Sequence, residues 1–293
     1  MTELIFDLPV GLHTDGSVLK KVELLPTNGV AEKVFVKKLS EKPYTWQGNV
    51  VSIAVKSIGD IEIAHSVRKK YLETGSVTIP PAVKKLTLAD VNTLLIEIHR
   101  RVWISFLPKQ EIVCKFCGRR LIADINLDKI DFLPETKEKM LEENEYNEIV
   151  VDISDAFVPP EIPRLTDDAK YLGITEIPFN RFVFRPPLLS DGIRNEKYFA
   201  DSIDFWRRIA FDCLVSIQKV TDNIVEDELP TEFHKYYGIK LFNEFLSGRV
   251  LREIRAALTE SLPTLPFAYF EPCGCDEQRE IPMVMDVSNF FSE

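Results

Sequence analysis

The chain lacks the short motifs that announce catalysis. It has no Gly-x-x-x-x-Gly-Lys loop, no Gly-x-Gly-x-x-Gly turn, no Gly-x-Ser-x-Gly elbow and no His-Glu-x-x-His helix. Their absence removes the commonest phosphate, dinucleotide, serine-hydrolase and zinc-protease readings. Histidine is scarce, and none of His13, His65, His99 and His234 has a carboxylate or cysteine at a ligand spacing. No apolar run reaches the length of a membrane span, and Met1-Thr2-Glu3 opens without the basic-then-apolar design of a secretory signal. A reducing cytoplasm is therefore the expected compartment. Basic charge is also short: the net charge is -10, whereas a nucleic-acid binder shows a basic footprint over its reading surface.

That net figure hides an asymmetry. Residues 1–133 carry 19 Lys and Arg against 15 Asp and Glu, while residues 134–293 carry 17 against 31. An acidic half joined to a mildly basic half suits docking onto other protein subunits. At 293 residues with 45% hydrophobic content, the chain can bury more than one core, and two domains are expected.

Cysteine is sparse but not scattered. Four of the five cysteines form two tight pairs, Cys114-Lys-Phe-Cys117-Gly and Cys273-Gly-Cys275. In a reducing compartment such pairs favour metal or redox roles over disulfides. Cys-x-x-Cys-Gly between two strands has the shape of a zinc knuckle, with Gly118 supplying a tight conformation after the second sulfur. Two half-sites of two thiolates complete one tetrahedral site if the fold brings them together. Cys114, Cys117, Cys273 and Cys275 are thus the candidate ligands of a structural zinc. Metal-free thiols and sites shared between copies remain open alternatives. A thioredoxin-like pair is disfavoured, because the residues after Cys117 alternate like a strand and provide no helix N-terminus to lower a thiol pKa. Cys213 falls on an apolar helical stripe and is expected in the core.

The pattern predicts an α+β fold in three parts. In residues 1–133, strands are expected at Leu4 to Phe6, Val18 to Leu25, Val34 to Val36 and Val50 to Val55. Helices follow at about Asp60 to Leu72 and after Thr87. Thr87 is the N-cap, Asp90 lies in the first turn, and Leu88, Val91, Leu95, Ile98 and Val102 form one buried face. Strands on either side of the Cys114 pair form a hairpin. Residues 134–180 read as an acidic connector broken by prolines, holding one strand at Ile149 to Ile153 and a short helix near Glu135 to Asn144.

Residues 181–293 begin with a strand at Phe182 to Phe184. A helix is then expected through Phe199, Ile203, Trp206, Ala210, Cys213, Ile217 and Val220, which step by four and three. Glu226-Asp227-Glu228 reads as charge preceding a helix N-terminus. A helix over Ile239 to Leu258 and a second hairpin around Cys273 and Cys275 complete the chain. The halves echo each other in element order. Cys114 precedes Phe132, and Cys273 precedes Phe291, by the same 18 residues. A duplication giving two pseudo-repeated halves is the expectation.

The helix Leu94-Leu95-Ile96-Glu97-Ile98-His99-Arg100-Arg101, the Cys-x-x-Cys-Gly turn and the strand ending Asn126-Leu127-x-x-Ile130 resemble a known group. So do the opening Phe6-Asp7-Leu8-Pro9-x-Gly11, the later Val22-Glu23-Leu24-Leu25-Pro26 and the closing Asn289-Phe290-Phe291. The chain is similar, over about residues 1–133 and more loosely at its final hairpin, to baseplate and hub-assembly proteins. These belong to T-even-type contractile phage tails and related injection systems. The resemblance implies a non-enzymatic chaperone or subunit whose partners are other baseplate proteins, and it carries over no catalytic residues. No membrane or small-molecule partner is expected, and the acidic charge disfavours nucleic acid. The alternative is a zinc-ribbon adaptor that meets nucleic acid or a transcription partner through Lys115, Arg119 and Arg120.

Overall fold

A computed structural model describes residues 4–26, 28–37, 42–103, 106–113, 117–129, 148–157, 179–229 and 236–260. The fold is α+β, with two antiparallel four-stranded sheets and a separate two-stranded ribbon. The described residues fall into two compact units. The first holds those up to residue 129 together with Leu188–Ile193; the second holds those between 148 and 187 and between 194 and 260. Among the described residues, no helix is long and apolar enough to cross a membrane.

The first unit's sheet has the order β1-β2-β3-β4. Strand β1 (Ile5–Thr14) turns through Asp15 and Gly16 into β2 (Ser17–Leu24), and their register slips between Asp7 and Leu12. Gly11 lies inside that slip with φ +97, a conformation that disfavours any side chain. Two helices, α1 (Gly29–Val36) and α2 (Pro43–Ala54), connect β2 to β3 (Val55–Ile58). A two-residue turn, Gly59-Asp60, then leads to β4 (Ile61–Glu62). Helices α3 (Ala64–Thr74), α4 (Pro81–Lys84) and α5 (Leu88–Ile98) follow. A π-helical turn, His99–Trp103, extends α5 toward the ribbon strands β5 (Phe106–Val113) and β6 (Arg120–Asn126).

Two expected strands are helical here. Val34 to Val36 close α1, and Val50 to Ala54 lie in α2. Local signals set both helices: Asn28 accepts from the amides of Val30 and Ala31, and Pro43 stands in the first turn of α2. Val34, Phe35, Val50, Val51 and Ile53 are then buried, so tertiary packing overrides the β preference of branched side chains. Helix α5 also departs from expectation. It is enclosed nearly all round, since Leu94 and Ile96 are buried as well as Val91, Leu95 and Ile98.

The second unit's sheet has the order β10-β9-β8-β7. Strand β7 (Ile149–Phe157) pairs with β8 (Phe179–Phe184), and their register slips between Asp152 and Phe157. After α6 (Leu189–Asn195), most of which belongs to the first unit, a 3-10 turn leads into α7 (Ser202–Cys213), which runs without a break into β9 (Leu214–Thr221). The turn Asp222-Asn223, with φ 51 and 63, leads to β10 (Ile224–Glu228). Its positive φ values suit the twist of a two-residue hairpin. A π-helical turn, Leu241–Phe245, precedes α8 (Gly248–Glu260). Phe179, Phe182, Phe184, Cys213, Ile217, Phe242 and Ile254 form the buried interior of this unit.

Three expectations for this region are corrected. The helix predicted through Val220 stops at Cys213, because Leu214 to Thr221 is rich in β-branched residues and pairs with β8 and β10. Its stripe is buried at Ala210 and Cys213, but Ile203 is 53% exposed. Glu226-Asp227-Glu228 is not a helix prelude but the end of edge strand β10, where Lys219 pairs with Glu226 at 2.7 Å. The helix predicted from Ile239 to Leu258 is broken at Leu246 and Ser247, and Phe245 is exposed.

Candidate functional site

The ribbon that carries Cys117 is fixed at its base by α5, which is itself clamped to β1. Thr87 caps α5, its hydroxyl accepting from the Asp90 amide at 3.1 Å and donating to Asp90 Oδ2 at 2.8 Å. The Asp90 carboxylate is wholly buried. Its Oδ1 accepts from the Val10 amide at 3.0 Å, and the Gly11 amide donates to both oxygens at 3.2 Å. The slipped register of β1 leaves these amides without ladder partners, and the carboxylate supplies the acceptors. Burial pushes the Asp90 carboxyl above the ordinary range, opposed by the hydrogen bonds from Val10, Thr87 and Gly11.

At the far end of α5, buried Glu97 accepts from both Arg100 and Arg101. Arg101 also lies over the Phe6 ring, 5.2 Å from its centre. Arg100 donates to the carbonyl of Leu127 at 3.4 Å, and Leu127 is fully buried immediately after β6. The β6 end of the ribbon is therefore tied down at Leu127. His99, in that turn, is buried as expected for a packing residue.

The ribbon strands pair from Phe106 opposite Asn126 to Val113 opposite Arg120. Cys117 is exposed in the connection between them, and Gly118 follows it with φ +70. This left-handed glycine fits a turn that presents a sulfur outward, as a metal knuckle requires. Of the other candidate ligands, Cys114, Cys273 and Cys275 lie outside the described residues, as do the expected second hairpin and the helix near Glu135. Among the described residues, no three His, Cys, Asp or Glu side chains gather as a metal-binding group. Cys213, whose Sγ lies 3.7 Å from Arg185 Nη1, is fully buried in the core as predicted.

The second unit contains a comparable carboxylate. Glu253 of α8 accepts from the Ser154 amide at 3.1 Å and from the Ser154 hydroxyl, within the slipped stretch of β7. Those bonds lower the Glu253 carboxyl, the Ser154 hydroxyl contributing most. Neither carboxylate was visible as a strand clamp in the sequence, where Asp90 reads only as a first-turn acid.

Compared with known proteins, the chain matches no family model, no curated protein and no solved structure.

Proposed function

We propose that the chain is a non-enzymatic assembly or structural protein of a contractile-tail baseplate, built from two related lobes and stapled by one structural zinc. The observation that carries this reading is the ribbon: its base is held by a buried ion-pair network, while its connection presents Cys117 and a left-handed Gly118. A rigid base under a thiol-bearing turn suits a metal staple better than a catalytic cleft. In this reading Cys114 and Cys117 supply one half of the ligand set, and Cys273 and Cys275 the other. Zinc holds thiolates without redox change and contributes folding energy at such sites.

A duplication is supported by the internal design of each unit. Each has four antiparallel strands in sequential order. In each, a helical connection joins the second strand to the third, and its last helix runs directly into the third strand. A two-residue turn separates the third and fourth strands, Gly59-Asp60 in one unit and Asp222-Asn223 in the other. In each, a later helix sends a carboxylate, Asp90 or Glu253, to the slipped amides of the first strand. In this reading the Cys273–Cys275 pair is the sequence counterpart of the Cys114–Cys117 pair, each 18 residues before a phenylalanine.

Metal content per chain tests the staple. The expected result is one zinc in the native protein, lost both in Cys117→Ser and in the double change Cys273→Ser, Cys275→Ser. Zinc absent from the native chain, or kept by either variant, overturns it. Co-expression with tail and baseplate subunits tests the assembly role, and failure to retain any of them overturns that part. The adaptor reading rests on exposed Arg119 and Arg120 beside Cys117. It requires RNA or DNA binding at low salt that weakens steeply as salt rises.

A further inference from the structure

The apolar stripe of α7 runs off the core at its N-terminal end. Ile203, Trp206, Arg207 and Ala210 share one helical face by their spacing. Ala210 is fully buried, Trp206 and Arg207 are half-buried, and Ile203 is 53% exposed. Beside them on α8, the Arg255 guanidinium lies over the Trp206 ring at 5.7 Å, and exposed Arg252 stands one turn earlier on the same face. The result is a ledge with an apolar anchor and an aromatic floor, edged by arginines.

Its charge is uncompensated. No carboxylate pairs with Arg207, Arg252 or Arg255 among the described residues. Arg207 donates to the Asn243 side-chain oxygen at 3.2 Å, but its buried Nε has no acceptor. Other arginines of the unit are satisfied: Arg181 by Asp152, Arg194 by Asp212, Arg208 by Asp204 and Arg249 by Asp155. A half-buried guanidinium with no carboxylate partner and one unsatisfied N–H is costly, and a carboxylate brought by a ligand would relieve it.

We propose that Ile203, Trp206 and Arg207 of α7, with Arg255 of α8, form a docking site for an acidic amphipathic helix of a partner protein. Apolar side chains on the incoming helix would cover Ile203 and Trp206, and its acids would meet Arg207 and Arg255. A nucleic acid fits less well, because the exposed apolar Ile203 offers nothing to phosphate, whereas an amphipathic helix covers it with its own apolar side chains. The proposal rests on the assembly reading for the identity of the partner, not for the chemistry of the ledge.

The test uses the full chain and two labelled helical peptides with identical leucine spacing, one with a glutamate background and one with lysine. Fluorescence anisotropy at low salt is expected to show the acidic peptide binding at least about tenfold tighter, with the difference shrinking as salt rises. Ile203→Asp and Arg255→Glu should each weaken it about tenfold or more. Both side chains are exposed, so unchanged urea midpoints verify the fold, and either variant serves if the other is compromised. Absence of binding, equal binding of the two peptides, or indifference to both substitutions overturns the proposal. Tail subunits retained equally by native and variant chains would sink the ledge and leave the assembly role standing. Retention of no tail subunit would sink the assembly role, while the peptides still judge the ledge.

Discussion

Replacing Asp90 with Ala removes the acceptors that hold the slipped stretch of β1. The Val10 and Gly11 amides then lose their partners in a buried site. Each orphaned donor costs about 1–3 kcal/mol, so the two together cost about 2–6. Loss of the buried charge offsets part of this, since its desolvation no longer opposes folding. The expected net loss is about 2–4 kcal/mol, a large share of the roughly 5–15 that holds a domain folded. Asp90→Asn should recover only part of it, because Val10, Gly11 and Thr87 together donate to both carboxylate oxygens and the amide nitrogen would face one of these donors. Urea unfolding gives the magnitude, and amide exchange at Val10 and Gly11 gives the location. The parallel variant Glu253→Ala should cost less than about 1 kcal/mol, because Ser154 is exposed and water can replace the carboxylate. A loss below about 1 kcal/mol for Asp90→Ala, or equal losses for the two variants, would refute the reasoning.

The same carboxylates predict opposite responses to pH. The Asp90 carboxyl is raised in the folded chain by burial. Its contribution is complete below the ordinary carboxylate value, about 4, and is lost as pH rises through the raised value. The stability gap between native chain and Asp90→Asn should therefore narrow from acid toward neutral pH in urea titrations. Glu253 is lowered by its bonds to Ser154, so its contribution is present above its ordinary value and fades on acidification. The gap to Glu253→Gln should widen with pH. Packing makes a third prediction. A Cβ on Gly192 would lie 2.4 Å from Tyr44 Cδ1 and 2.7 Å from Cγ, against a ring that cannot bend aside. Gly192→Ala should cost about 1–3 kcal/mol, seen as a lower Tm. Gly48→Ala should cost less, since its nearest contact is the flexible Cδ1 end of Ile79 at 2.6 Å.

Elements bounded by turn residues were legible in the sequence. Strand β2 stands close to its expected span after Gly16, while β1, expected only over Leu4 to Phe6, runs on to Thr14, and Thr87 caps α5 where its hydroxyl predicts. Strands β7 and β8 begin within a few residues of their expected starts. Valine-rich stretches misled, because a buried helix and a buried strand present the same apolar run. What separated them was punctuation at the ends: Asn28 and Pro43 start helices, whereas Asp222-Asn223 closes a hairpin. The last of these is a recognisable hairpin signal that the helical stepping through Ile217 and Val220 masked. The tight conformation expected of Gly118 after Cys117 could be read directly, since it is a property of that residue alone. The Asp90 clamp could not. Its partners are backbone amides 79 and 80 residues away, and an amide has no sequence signature.

The two clamps differ in how firmly each holds its strand. In the first unit the carboxylate is sealed beneath β1, and the surrounding core includes Phe35, Trp46, Leu94 and Leu95. Breaking that arrangement exposes polar groups that water does not otherwise reach, so the unit is suited to remain one rigid body. In the second unit the Glu253 carboxylate is only partly covered, and its partner Ser154 is exposed. Water can therefore replace the Glu253 bonds when this clamp opens, so it holds its strand less firmly than Asp90 holds β1.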